Sequence, residues 1–524
     1  MLFNSYQFIL VFLPLSLGLF SILISRKKQS VFLAWLLIAS IAFYGWWDIR
    51  NVPLLLASIV GNYTFGRLIS GKRRQEEQHA ARLFLILGIA SDLSVLAYFK
   101  YWDFITSIFY GGSFNPNTLT IPLGISFFTF TQIAYLVDVY KAEASQREPL
   151  SYALFVSWFP HLIAGPIIHH KEVMPQFRNS LPDSFNAMNL AAGFTIFTMG
   201  LFKKVILADN LAGFISAANS LSAFTKAAAG SPINFFEGWA AALTYTLQLY
   251  FDFSGYSDMA IGLSLMFGVK LPLNFNSPYK SQNIADFWRR WHMTLSRFLR
   301  DYVYIPLGGN RCGRPRHLLN LFLTMLIGGV WHGAGWTFVV WGALHGTYLV
   351  AYNIWSQLNR RVRPGHQGSR VGRAAGWMVT FLAVTVAWVV FRASSLHAAS
   401  RILAGMIGLN GFELVPADRV WLGPLASALG AIGIKFQASV MQPIGPMLAW
   451  VGPLLLVAWL APNTQQMMGL SLVALTPLRE RIRVQALRWP NWVPSLRWAT
   501  VIAVMFIMAL LGINRPTQFL YFQF

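Results

Sequence analysis

The chain has 524 residues, of which 55% are hydrophobic and 11% charged, with a single cysteine, Cys312. A soluble domain carries about 25% charged residues, so this composition excludes an ordinary soluble protein, and one cysteine excludes a disulfide framework or a multi-cysteine metal site. The net charge of +22 does not mark a nucleic-acid binder: Lys and Arg collect between apolar runs, as the positive-inside rule expects, and no basic soluble domain stands apart from them.

A membrane span needs about 20 apolar residues. In chain order, that criterion predicts spans at 7–25, 31–47, 52–70, 81–99, 150–168, 188–207, 235–268, 317–331, 335–356, 376–391, 445–461 and 497–513. Segment 119–140 is apolar but opens Ile121-Pro-Leu-Gly and contains Gln132 and Asp138, so it reads as a span or a re-entrant piece; 399–409 and 421–435 are open in the same way. The expected architecture is an all-α polytopic membrane protein of about 11–13 membrane elements. With no internal repeat and no soluble domain, 1–524 reads as one domain.

Met1–Phe8 has no basic residue and no small-residue cleavage site follows, so the first run reads as a span and not as a removed signal. Basic clusters then set the sidedness: Arg26, Lys27 and Lys28; Lys72, Arg73 and Arg74; eight residues from Lys280 to Arg316; Arg360, Arg361, Arg363, Arg370 and Arg373; and Arg479, Arg481, Arg483, Arg488 and Arg497. Placing them in the cytoplasm leaves the N-terminus outside.

The 279–316 connection is unusual. In Asp286-Phe-Trp-Arg-Arg-Trp-His292, Trp288 and Trp291 are three apart and predict one face of a helix lying in the interface, rings at headgroup level, with Arg289 and Arg290 in water.

Ten histidines are candidates for acid–base chemistry. His79, His317, His366 and His397 fall in or beside polar loops and read as solvated. His161, His169 and His170 flank Ala164-Gly165-Pro166. His332, in Gly328-Gly-Val-Trp-His332-Gly, and His345, in Gly342-Ala-Leu-His345-Gly, lie in apolar sequence. An ionisable residue at membrane depth is a functional candidate by default, and a histidine can take a hydroxyl proton near neutrality. The competing reading is a histidine bonded to a neighbouring helix, with glycine present for packing. Phe251-Asp-Phe-Ser-Gly-Tyr-Ser-Asp258 puts Asp252, Ser254 and Asp258 in a long apolar region, as a structural knot or as the lining of a polar passage. Lys203, Lys204 and Arg392 are expected to snorkel or to pair across helices. There is no phosphate loop, zinc helix or nucleophile elbow.

Several motifs together resemble the membrane-bound O-acyltransferase family, in particular its bacterial branch that acetylates exopolysaccharides of the alginate and cellulose type. They are Phe43-Tyr-Gly-Trp-Trp47, Ile121-Pro-Leu-Gly-Ile-Ser-Phe127, Phe159-Pro-His-Leu-Ile-Ala-Gly-Pro166, Tyr250-Phe-Asp-Phe-Ser-Gly-Tyr-Ser-Asp-Met-Ala260, Asp286-Phe-Trp-Arg-Arg-Trp-His292, Leu299-Arg-Asp-Tyr302, Leu307-Gly-Gly-Asn310, Gly329-Val-Trp-His-Gly333 and Tyr521-Phe-Gln-Phe524. The resemblance implies a ring of helices around a central tunnel, with His332 catalytic and His292 either direct or orienting the donor. Trp288, Arg289, Arg290, Asp252, Ser254, Asp258 and His345 are then candidates for donor binding or tunnel lining. It further implies a multi-pass protein of the bacterial inner membrane, a thioester donor such as acetyl-CoA, no resident cofactor or metal, a separate periplasmic acetyltransferase as partner, and a polysaccharide synthesis complex. The alternatives are transfer of another acyl group, D-alanyl or longer, and a carrier of acyl groups or anions that does no chemistry.

Overall fold

The computed structural model describes residues 1–25, 29–110, 121–143, 148–179, 186–215, 219, 222–362, 369–436, 443–469 and 491–513. The basic runs Arg26–Lys28 and Arg479–Arg488, with Arg363, His366 and Tyr521–Phe524, lie outside them.

The described residues are helical almost throughout. A two-residue parallel pairing of Glu413–Leu414 with Lys435–Phe436 is the strand structure among them. Among the described residues five helices are long and apolar enough to cross a membrane: Gln7–Ile24, Ile49–Arg74, Gln78–Phe109, Ala187–Ile215 and Arg370–Arg392. Shorter apolar helices occupy Gln29–Gly45, Ile125–Tyr140, Gly445–Leu460 and Leu496–Gly512. The expected all-α polytopic architecture therefore holds. The expected 150–168 span does not. It breaks into Pro149–Ser157 and Phe159–Leu162 at Trp158, whose ψ is 107°, because in a continuous helix Pro160 has no N–H to give the carbonyl of Val156 and its ring would clash there. Segment 421–435 is not a span either, forming the short helices Asp418–Leu422 and Pro424–Ala431.

Two compact units alternate along the chain. One comprises Met1–Phe202, Ser254–Asn274 and Pro462–Ile513. Its helices Ala187–Phe202 and the C-terminal part of Phe235–Met266 touch backbone to backbone: a Cβ on Gly193 would lie 2.6 Å from Gly262 O. Polar side chains bind its helices together through Asn62 Nδ2 donating to Asp92 Oδ1 at 2.7 Å and Trp158 Nε1 donating to Ser264 Oγ at 3.0 Å.

The other unit comprises Lys203–Phe253 and Phe275–Ala461 and holds every histidine of the expected site. Its core is rich in rings, among them Trp288, Trp291, Trp341 and Trp388. Lys204 does not snorkel. It is buried and pairs with Asp209 and Asp252, each at 2.7 Å. Arg392 lies over the rings of Phe224 and Tyr245, 5.4 and 5.9 Å from their centroids.

Candidate active site

Two helices build one wall. Arg314–His332 ends at His332, whose successor Gly333 is extended, and Trp336–Val362 returns beside it. The pair packs through glycine: a Cβ on Gly329 would lie 2.7 Å from Gly342 Cα, and one on Gly342 2.7 Å from Met325 O. This close approach sets His332 against Trp341, ring centroids 5.0 Å apart and nearly perpendicular, with Phe391 at 5.4 Å.

The opposite wall is the 279–316 connection, and here the structure corrects the sequence reading. Trp288 and Trp291 are buried inside the unit, not held at headgroup level. They do not share a helix. Asn283 caps Ile284–Arg290, Trp291 is extended, and His292 turns left-handed (φ 43°, ψ 54°) before Met293–Leu299 begins. A non-glycine residue in that region costs about 1–3 kcal/mol and persists where its surroundings over-determine it. The turn carries the His292 ring into the core, 4.8 Å from Phe253 and 6.4 Å from His332. His292 and His332 are thus brought together from positions 40 residues apart.

His345 is fully buried one ring further on, 4.8 Å from Trp341, and its Nδ1 accepts from Trp288 Nε1 at 3.2 Å. Arg290 pairs with Asp286 at 2.9 Å, while Arg289 is exposed. The 252–258 cluster has partners of its own. Asp252 pairs with Lys204, Asp258 accepts from Thr464 at 2.6 Å, and Ser254 Oγ is buried with no hydrogen-bond partner among the described residues. His317, expected to be solvated, is half-buried and bonded on both ring nitrogens, to Tyr304 and Asn353. Sequence reasoning missed Trp341, Trp388 and Phe391, since a ring in an apolar span gives no signal beyond packing. Among the described residues no group of three or more His, Cys, Asp or Glu is placed to hold a metal.

A model of the membrane-bound O-acyltransferase family matches residues 41–396, a stretch containing both histidines and the Trp-His-Gly turn. The chain belongs to that family. This membrane-bound O-acyltransferase is 45% identical to a peptidoglycan O-acetyltransferase of Helicobacter pylori over 79% of its own length and 81% of that protein's. It is 42% identical to a "probable alginate O-acetylase AlgI" of Azotobacter vinelandii, covering 82% of each chain. A teichoic acid D-alanyltransferase of Bacillus subtilis is 26% identical over 63% of this chain and 83% of its own. The protein is therefore a multi-pass membrane enzyme that transfers acyl groups, and the carrier without chemistry is set aside.

Proposed function

We propose that this acyltransferase moves an acetyl group from a thioester, acetyl-CoA in the simplest case, towards a hydroxyl of a cell-envelope polysaccharide such as alginate, cellulose or peptidoglycan, directly or through a periplasmic transferase of a polysaccharide synthesis complex. The observation that carries it is the buried His292–His332 pair, with its 6.4 Å ring separation and its left-handed turn at His292. Acetyl is favoured over D-alanyl because the relatives named for O-acetylation share 36–45% identity, against 26% for those named for D-alanyl transfer.

In the proposed reaction His332 accepts the acceptor hydroxyl's proton as its oxygen attacks the thioester carbonyl carbon. The C–S bond breaks, the ester forms, and the departing thiolate takes that proton back from His332, leaving free thiol. His292 donates a hydrogen bond to the carbonyl oxygen as negative charge builds there. A thioester needs no further activation, and a site this closely packed with rings excludes the water that would hydrolyse it. The donor enters from the cytoplasm of a bacterial cell, and the exposed Arg289 attracts its phosphates. A thioester at the end of a slender pantetheine arm suits a histidine pair that lies deep in its unit.

The test is complementation of a deletion strain with wild type, His332→Ala and His332→Gln, reading polysaccharide acetyl ester content at matched protein level, together with CoA release in proteoliposomes. Both variants are expected to lose transfer by about 10²–10⁴-fold. Near-normal acetylation by His332→Gln, which bonds but cannot take a proton at neutral pH, would remove His332 from the chemistry.

A further inference from the structure

The histidine pair is held by a short and intrinsically weak element. Ile284–Arg290 has seven residues, fewer than two turns, and a helix of that length does not hold itself together in isolation. Yet it must deliver His292 in a left-handed conformation that costs free energy. Something outside the helix has to fix its end.

It is attached on two sides. Asn276 N donates to Arg290 O at 2.9 Å, tying down the last turn. Trp288 Nε1 donates to His345 Nδ1 at 3.2 Å, with both side chains buried. The second bond reaches the Trp336–Val362 helix, which Gly342 presses against Gly329 of the helix that ends in His332. The path closes on itself, from His332 through the glycine contact to His345, then through its hydrogen bond to Trp288, and four residues on to His292.

The same bond decides what His345 does. A neutral imidazole has one protonated and one bare nitrogen. Because Nδ1 accepts from the indole, the hydrogen sits on Nε2. The bare nitrogen is occupied and the other already carries its proton, so His345 is not set up to remove a proton from a substrate. Its ring is walled by Phe287, near-parallel at 6.2 Å, and Trp341.

We propose that His345 is a positioning residue, whose Nδ1 clamps Trp288 and so holds His292 in its left-handed turn facing His332. This rests on the acyltransferase reading above. The role needs an acceptor at that place and no acid–base function, so asparagine, whose Oδ1 falls near the position of Nδ1, should replace it.

The experiment is steady-state acetyl transfer and CoA release by the full-length protein in proteoliposomes with acetyl-CoA, for His345→Asn, His345→Phe, Trp288→Phe and the Trp288→Phe/His345→Phe pair. His345→Asn is expected to keep kcat within about threefold, whereas His345→Phe and Trp288→Phe each lower kcat by roughly tenfold with donor KM nearly unchanged. The double variant should lose no more than either single one, the signature of residues acting through one bond. The proposal is overturned if His345→Asn fails as badly as His345→Phe, or if the two losses multiply. Should His345→Phe not accumulate, Trp288→Phe against His345→Asn carries the same decision. His332→Ala, run alongside, separates the two levels: full activity there sinks the general base, while the coupling between Trp288 and His345 is still read from the cycle.

Discussion

Arg289 and Arg290 are neighbours in sequence with different work to do. Arg290 bonds Asp286 and the carbonyl of Asn276, which braces the strained end of its helix. Arg289 is exposed and offers its charge to whatever arrives. Loss of a steering charge weakens donor capture without touching the chemical step. Arg289→Gln should therefore raise the KM for acetyl-CoA by roughly two- to fivefold at unchanged kcat, more at low salt than at high. Arg290→Gln should instead lower kcat with little change in KM, because it loosens the turn that presents His292. Steady-state kinetics at two ionic strengths check both, and identical profiles for the two variants would refute the division.

At the scale of elements, the helical hairpin Arg314–His332 and Trp336–Val362 depends on backbones meeting at Gly329 and Gly342. Any side chain at Gly342 meets Met325 O and Gly329 at under 3.0 Å or about that distance, and neither is a movable side-chain tip. Overpacking of this kind costs about 1–3 kcal/mol. Gly342→Val should lower the thermal midpoint in detergent and abolish transfer, whereas Gly313→Ala, where a Cβ meets nothing within 4 Å, should do neither. A stable, active Gly342→Val protein would contradict the packing. This hairpin was legible in the sequence, because glycines flanking a histidine in apolar surroundings announce close approach. The Ile284–Arg290 helix was legible as a helix but not in its place. Its Trp, Arg and Phe pattern fits an interface and a core equally well, and what decides between them is the left-handed break at His292, which histidine's enrichment at positive φ is too weak to mark. The Trp288–His345 bond, 57 residues apart in sequence, could not be read at all, since neither side chain carries a sign of its partner.

On the largest scale, the unit that holds the site has two distinguishable ends. At one, Trp377 donates to Tyr279 O and Lys280 donates to Ala461 O, close to the basic residues of the 279–316 connection. At the other, Gly238 packs on Met406, and Phe235 N donates to Gly411 O. The Arg370–Arg392 helix runs between these ends, and Trp388 and Phe391 on it contact the rings of His345 and His332. At 1.5 Å per residue, that level lies about 16–21 Å along the helix from Trp377. The 279–316 connection thus starts at the basic end and reaches the level of the histidines. If the basic end faces the cytoplasm, as the clustering of Lys and Arg favours, then segment 407–436 faces outside. Single cysteines in a Cys312→Ser background test this in spheroplasts with a membrane-impermeant maleimide. Val420→Cys, at a position 86% exposed, should be labelled from outside. Gly313→Cys, whose Cβ meets nothing within 4 Å, should react after permeabilisation and not before. Background serine at 312 can still donate to Gly309 O as Cys312 does, so the turn should survive the replacement. Labelling of Gly313→Cys in sealed spheroplasts would invert the topology, and with it the direction from which the acyl donor approaches His332.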